Sequence, residues 1–114
     1  MLEANEYQMM ALRTESRLPD EDEVTPILQG LMGLVGESGE AMDILKKHIF
    51  QGHDLDKEHL AKELGDVAWY LAIAANAIGY DLETIMWMNI EKLRARYPDG
   101  FDRVHSVYRT PNDI

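Results

Sequence analysis

The sequence predicts an all-α fold built from a four-helix, bundle-like protomer. Apolar residues recur at intervals of three and four in the long segments, a spacing that places them on one face of a helix. Proline and glycine fall between these segments, where they end helices. No segment alternates apolar and polar residues as a half-buried strand does. Short connections then favour antiparallel neighbouring helices.

Local signals bound the first two helices. The first is expected at about 2–18, because Pro19 interrupts the pattern. The second is expected to start at Thr25, an N-cap residue that is followed by a proline in the first turn. It then runs to about Phe50, and Gly52 provides a C-terminal stop.

The last two helices are bounded in the same way. Asp56 can cap the third helix, and Gly79 ends it. Asp81 can cap the fourth helix, which ends at the turn 98–100.

Length and composition indicate a single domain, residues 1–114, with 102–114 as an irregular C-terminal tail. Cysteine is absent, which excludes disulfides and thiolate metal sites. No secretory signal is visible and the apolar run 67–75 is too short to span a bilayer, so we expect a cytoplasmic protein without a membrane partner. The net charge of −10 opposes nucleic-acid binding but is compatible with a small nucleotide bound through a divalent ion.

The third helix is unusually apolar. Residues 67–78 are apolar almost all round, and such a helix is buried on every side. Four helices offer too little cover for it, and Trp69 and Trp87 add further apolar area. We therefore expect a homo-oligomer, either a dimer or a tetramer.

Two acidic pairs suggest a metal site. Glu37 and Glu40 lie on the second helix, and Glu63 and Asp66 on the third. The spacing of three residues places each pair on one side of its helix. Four carboxylates from two helices repel one another unless a cation lies between them, and Mg²⁺ or Mn²⁺ accepts oxygen ligands alone. The alternative is a pair of solvated or salt-bridged helix edges.

A helical wheel places Glu37, Glu63 and Asp66 beside the apolar stripes of their helices. A carboxylate beside a buried stripe is costly unless it is paired or bound to a metal, so this position favours a site. The stripe of the second helix consists of Ile27, Leu31, Leu34, Val35, Met42, Leu45 and Ile49.

Glycine recurs at every third position of the second helix, at Gly30, Gly33, Gly36 and Gly39. Each glycine inside a helix costs about 1 kcal/mol relative to alanine, so close approach of another group is the expected compensation. Tight helix packing suits Gly30 and Gly33. We expect Gly36 and Gly39, next to the acids, to leave room for a metal–phosphate group.

The four histidines, His48, His53, His59 and His105, are interpreted as surface or hinge residues. A ferritin-like di-iron site requires Glu-x-x-His on a helix, and neither acidic pair provides it. A GxxxxGK[ST] phosphate loop is also absent from the sequence.

These motifs together resemble the MazG-like nucleotide pyrophosphohydrolases, the all-α NTP pyrophosphatases. The segments GLVGESGEAMD and KELGDVAWYL resemble the two acidic helices of that family. NIEKLRARYPDGF resembles its closing helix, and NEYQ near the N-terminus resembles its opening helix. The resemblance extends from Asn5 to Phe101.

The resemblance implies a metal-dependent enzyme that hydrolyses a (d)NTP to the (d)NMP and pyrophosphate and so clears non-canonical or surplus nucleotides. Mg²⁺, with Mn²⁺ as an alternative, would activate the attacking water. The implied ligands are the acids of both pairs, Glu37, Glu40, Glu63 and Asp66. Glu37 is the candidate that positions or deprotonates this water.

Polar residues also follow one side of the fourth helix, at Asn89, Lys92 and Arg96. A solvated helix edge is the ordinary interpretation of such a stripe. The resemblance instead directs these residues at the phosphates of the nucleotide, which arginine and lysine bind well. Tyr70, one turn beyond the second acidic pair, is either a substrate contact or a core tyrosine.

Other functions stay open at this point. The sequence also suits a non-catalytic helical dimer that senses nucleotides or serves as a scaffold. Among enzymes, phosphoribosyl-ATP pyrophosphohydrolases rival dUTP- or dCTP-type hydrolases, because base recognition depends on pocket shape. The complete set of acidic positions favours an enzyme.

Overall fold

The computed structural model describes residues 1–109, which form five α-helices and no β-strand. The all-α prediction is therefore confirmed for this part of the chain. In chain order the helices are α1 (Ala4–Leu12), α2 (Val24–Gln51), α3 (Lys57–Ala77), α4 (Leu82–Arg96) and α5 (Arg103–Val107). Among these helices, none combines the length and apolar character needed to cross a bilayer.

The fifth helix corrects the prediction of an irregular tail from residue 102 onward. Asp102 caps α5 by accepting a hydrogen bond from the backbone N–H of His105 at 2.7 Å. Such a cap satisfies one of the N–H groups that the first helical turn leaves without a partner. Residues 110–114, the rest of the predicted tail, lie outside the described residues.

The first helix ends at Leu12 and not near residue 18 as predicted. Thr14 is the physical reason, because its Oγ1 donates a hydrogen bond to the carbonyl oxygen of Ala11 at 2.9 Å and accepts one from Nε1 of Trp69 at 2.9 Å. Local hydrogen bonds of this kind compete with helix continuation. Pro19 lies seven residues beyond the observed end of α1 and therefore does not determine it.

The predicted caps of α2 and α3 are partly confirmed. α2 begins at Val24, and Asp22 takes the role predicted for Thr25 by accepting hydrogen bonds from the backbone nitrogen and Oγ1 of Thr25 at 2.7 and 2.6 Å. Gly52 ends α2 in the left-handed conformation, with φ of 72°. Asp56 caps α3 as predicted, accepting from the backbone nitrogen of His59 at 2.9 Å.

The chain divides into two compact units, one comprising residues 1–82 and the other beginning at Glu83. α3 is central to the first unit, because it packs against both α1 and α2. The buried residues of α3 are Ala72, Ile73, Ala74 and Ala75. Alanine at three of these positions lets neighbouring backbones approach closely.

The burial of residues 72–75 corrects part of the reason given for an oligomer. The middle of this helix, expected to need a second subunit, is covered within the first unit. A large part of the exposed apolar surface lies on α2, where Val35, Met42 and Ile49 are 73%, 64% and 59% exposed, and Trp87 on α4 is also half exposed. The stripe that the helical wheel assigned to the buried side of α2 is thus largely open in the single chain, and only Pro26 and Gly30 are fully buried on this helix.

A buried glutamine joins α1 to the end of the first unit. The amide nitrogen of Gln8 donates to the carbonyl oxygens of Ala72 and Tyr80, at 3.1 and 3.2 Å. Its Oε1 accepts a hydrogen bond from the backbone nitrogen of Leu82 at 2.9 Å, which satisfies an N–H at the start of α4. Sequence reasoning missed this role because a glutamine on a short helix carries no signal of burial.

Candidate metal centre

Glycine sets the distance between α2 and α3. A Cβ added to Gly30 would lie 2.9 Å from both Cα and Cβ of Ala74, and one added to Gly33 would overlap the ring of Tyr70. These two contacts confirm the packing role predicted for Gly30 and Gly33. Among the described residues, no atom beyond the adjacent residues and the local helix backbone lies within 4 Å of a Cβ added at Gly36 or Gly39, so the helix is open there.

The same contacts bring the acidic pairs together. Gly30 contacts Ala74, and Gly33, further along α2, contacts Tyr70, which comes earlier on α3. The two helices therefore run antiparallel. Glu37 follows Gly33 by one turn, and Asp66 precedes Tyr70 by one turn. The close approach at the glycines therefore continues into a close approach of carboxylates.

Three of the four predicted ligands form one cluster. A carboxylate oxygen from each of Glu37, Glu63 and Asp66 lies within 4.8 Å of the other two. Glu37 and Glu63 are half-buried, and Asp66 is exposed. The Oε2 atoms of Glu37 and Glu63 are buried and have no hydrogen-bond partner among the described residues.

The donor set fits a hard divalent cation. Buried polar atoms normally have a partner, and a cation bound by Glu37 and Glu63 would compensate for their orphaned carboxylate oxygens. Three carboxylates without a nitrogen or sulfur donor match the preference of Mg²⁺ and Mn²⁺ for oxygen ligands.

The electrostatics of Glu37 reflect this crowding. A hydrogen bond with Glu63 is the largest cause that raises the pKa of Glu37, from 4.5 to about 7. Partial burial and the negative charges of Glu40 and Asp66 raise it further. Two carboxylates can share a hydrogen bond only when one of them is protonated, which is why this contact raises the pKa of Glu37.

The fourth predicted ligand, Glu40, is exposed and does not join this cluster of three. Its charge nevertheless contributes to the raised pKa of Glu37, so it lies near the edge of the site. Its role as a ligand stays a prediction.

Two neighbours of the cluster were missed by sequence reasoning. His59, interpreted as a surface residue, places Nε2 at 3.2 Å from Oε1 of Glu63, and its spacing of four residues could have revealed this contact. Tyr7 of α1 lies near enough to Asp66 that this charge, after the larger effect of burial, raises the pKa of the phenol. Tyr7 belongs to the NEYQ segment that resembles the opening helix, but nothing in the sequence placed it beside Asp66.

The remaining candidates occupy two different units. Tyr70 lies on α3 in the first unit, where its ring covers Gly33 and meets the ring of Trp69 edge-on at 4.9 Å. Asn89 and Lys92 are exposed on α4 in the second unit. Arg96 is half-buried there, with its guanidinium 5.9 Å from the ring centre of Tyr97.

An all-α chain with a cluster of carboxylates between two long helices is a candidate divalent-metal protein. Residues 27–101 match the MazG nucleotide pyrophosphohydrolase domain, and the chain belongs to this family. It is also similar to the gene 37 protein of Mycobacterium phage L5, with 35% identity over 85 residues, or 71% of this chain and 75% of the phage protein. No solved structure matches the chain.

The raised pKa of Glu37 predicts a pH-dependent stability. A carboxyl whose pKa is higher in the folded than in the unfolded protein destabilises the fold as it ionises, here between about pH 4.5 and 7. We therefore expect metal-free Glu37→Gln to melt at a higher temperature than wild type at about pH 8. The difference should disappear below about pH 4, where Glu37 is mostly protonated in both the folded and the unfolded state.

Thermal melts in a chelator, repeated with Mn²⁺, check this expectation. Mn²⁺ should stabilise the wild type more than Glu37→Gln, because a carboxylate binds the ion and an amide does so poorly. Glu91→Gln, which removes an exposed acid from α4, is the matched control and should show neither effect. An equal stability difference at both pH values would mean that Glu37 is not strained by its neighbours.

Proposed function

We propose that this protein is a metal-dependent nucleoside triphosphate pyrophosphohydrolase that converts a (d)NTP to the (d)NMP and pyrophosphate. The observation that carries the proposal is the cluster of Glu37, Glu63 and Asp66, with two buried and unpartnered oxygens, in a chain that belongs to the MazG family. Such an enzyme would act in the cytoplasm on non-canonical or surplus nucleotides.

The residues of the cluster would divide the chemistry among them. Glu37, Glu63 and Asp66 would hold Mg²⁺ or Mn²⁺, with Glu40 as a further ligand at the exposed edge. When bound, the ion neutralises phosphate charge and makes a water molecule more acidic. Glu37 would also orient the attacking water and accept its proton.

In the hydrolysis, one phosphorus–oxygen bond forms at the α-phosphorus and another breaks. The water oxygen forms a bond to this atom, and the bond from it to the oxygen bridging to the β-phosphate breaks. The electron pair of the broken bond leaves with pyrophosphate, while Glu37 holds the proton from water.

Product analysis tests this reaction. With Mg²⁺ or Mn²⁺, the purified protein should release pyrophosphate and no orthophosphate from a nucleoside triphosphate. In water enriched with heavy oxygen, the label should enter the monophosphate, since the attack is at the α-phosphorus. Release of orthophosphate, or binding of nucleotide without any turnover, would contradict the proposal; the second result would favour a nucleotide sensor.

Variants of the acidic residues locate the reaction. Asp66→Asn and Glu40→Gln should abolish turnover and weaken metal binding while the far-ultraviolet circular dichroism stays helical. Glu91→Gln again serves as the control. Full activity of either variant would remove that residue from the site.

We also propose that Asn89, Lys92 and Arg96 bind the triphosphate. If so, Lys92→Ala and Arg96→Ala should lower kcat/KM by roughly tenfold or more, since a charge-assisted contact is worth about 1.5–3 kcal/mol. Metal affinity should be unchanged. Arg94→Ala is the matched control, because it removes the same charge from the same helix. The guanidinium of Arg94 lies 5.8 Å from the ring centre of Trp87, and the proposal gives it no phosphate contact. An early-melting Arg96→Ala variant with normal kcat/KM would assign this arginine a structural role.

The bundle-like protomer is further proposed to form a dimer or tetramer. The exposed apolar side chains of α2, including Val35 and Met42, support this proposal. Light scattering at micromolar protein should give a multiple of 13.1 kDa. Val35→Glu should lower the mass to that of one chain, and a wild-type monomer would contradict the proposal.

A further inference from the structure

A cavity of about 570 Å³ lies in the first unit, between α2, α3 and the loop that joins α1 to α2. Its lining includes Ser16 and Leu18 from the loop, Leu28, Gln29 and Met32 from α2, and Tyr70 from α3. Sequence reasoning had singled out only Tyr70 among them, because the others follow no motif.

The cavity continues from the acidic cluster. Gly33, which also lines it, precedes Glu37 by one turn, and Tyr70 follows Asp66 by one turn. Both helices therefore pass from the carboxylates to the cavity wall within a single turn. A nucleotide whose phosphates lie at the cluster would direct its sugar and base into this space.

The lining suits a flat heteroaromatic ring. The thioether of Met32 and the ring of Tyr70 offer polarisable surface for a base. Leu28 and Met32 are both largely exposed in this structure, so a ligand here would cover apolar area.

Gln29 is the polar group suited to identify the base. Its side chain is half-buried in the cavity wall and forms no hydrogen bond to another described residue. Thr25, in contrast, is already bonded to Asp22. A glutamine amide presents a donor and an acceptor side by side, which matches the edge of a nucleobase.

We propose that this cavity binds the nucleoside part of the substrate and that Gln29 determines which base is accepted. The inference rests on the proposed function, since it takes a nucleoside triphosphate as the ligand. It adds a specificity residue that acts on the base and leaves the metal site unchanged.

Binding of unreactive analogues tests the proposal independently of turnover. Deoxynucleotides with a methylene or imido bridge between the α- and β-phosphates bind without being cleaved, and calorimetry gives their Kd. Cytosine and uracil differ by an amino or a keto group at one ring position, as do adenine and hypoxanthine. Gln29→Glu replaces a donor and an acceptor by acceptors alone, which favours the amino base of each pair.

We expect Gln29→Glu to shift the amino-to-keto preference by roughly tenfold or more in at least one pair, and Gln29→Leu to weaken the wild-type preference. Mn²⁺ affinity and melting temperature should stay at wild-type values. Gln51→Glu, at the exposed far end of α2, is the matched control and should not alter the preference.

The outcomes separate this inference from the proposed function. Pyrophosphate release by wild type, combined with unchanged base preference in both Gln29 variants, would overturn the inference alone. Selective binding that depends on Gln29, without turnover, would support the inference and contradict the enzyme. An altered oligomeric mass with unchanged preference would assign the cavity wall to a subunit contact, and absence of analogue binding to wild type would overturn the inference.

Discussion

The close packing of α2 against α3 determines the rest of the site. Gly30 lies against Ala74 and Gly33 lies under the ring of Tyr70, and neither position has space for a side chain. Glycine weakens a helix by about 1 kcal/mol per residue. At these two positions it lowers the stability of α2 but allows α2 to lie close to α3. One turn further along, the same proximity brings Glu37 toward Glu63 and Asp66.

This arrangement makes the carboxylates repel one another in the metal-free protein, and it also creates a binding site for a cation. Carboxylates that would separate on a flexible chain are held within reach of a single cation by two rigid helices. The raised pKa of Glu37 reflects this repulsion, since protonation removes one of the negative charges. A divalent ion would remove the repulsion more completely, which couples metal binding to stability.

Local sequence signals predicted the all-α fold and the ends of α2 and α3, because caps and periodicity depend on neighbouring positions. Asp56 and Gly52 act as predicted at the ends of α3 and α2. Contacts between distant segments carry no comparable signal. Three features depend on which helices meet. They are the hydrogen bonds of Gln8 to the end of the first unit, the bond from Trp69 to Thr14 just beyond the end of α1, and the place of Gln29 in the cavity wall.

Mn²⁺ affinity, measured by electron paramagnetic resonance on wild type, Gly30→Ala and Gly36→Ala, tests the central claim most directly. A Cβ at Gly30 forces α2 and α3 apart, whereas a Cβ at Gly36 meets no atom of another element within 4 Å in the described part of the chain. We predict that wild type and Gly36→Ala bind Mn²⁺ alike and that Gly30→Ala binds it roughly tenfold more weakly. Equal affinity of all three proteins, or no binding to wild type, would contradict the claim that helix packing creates a metal site.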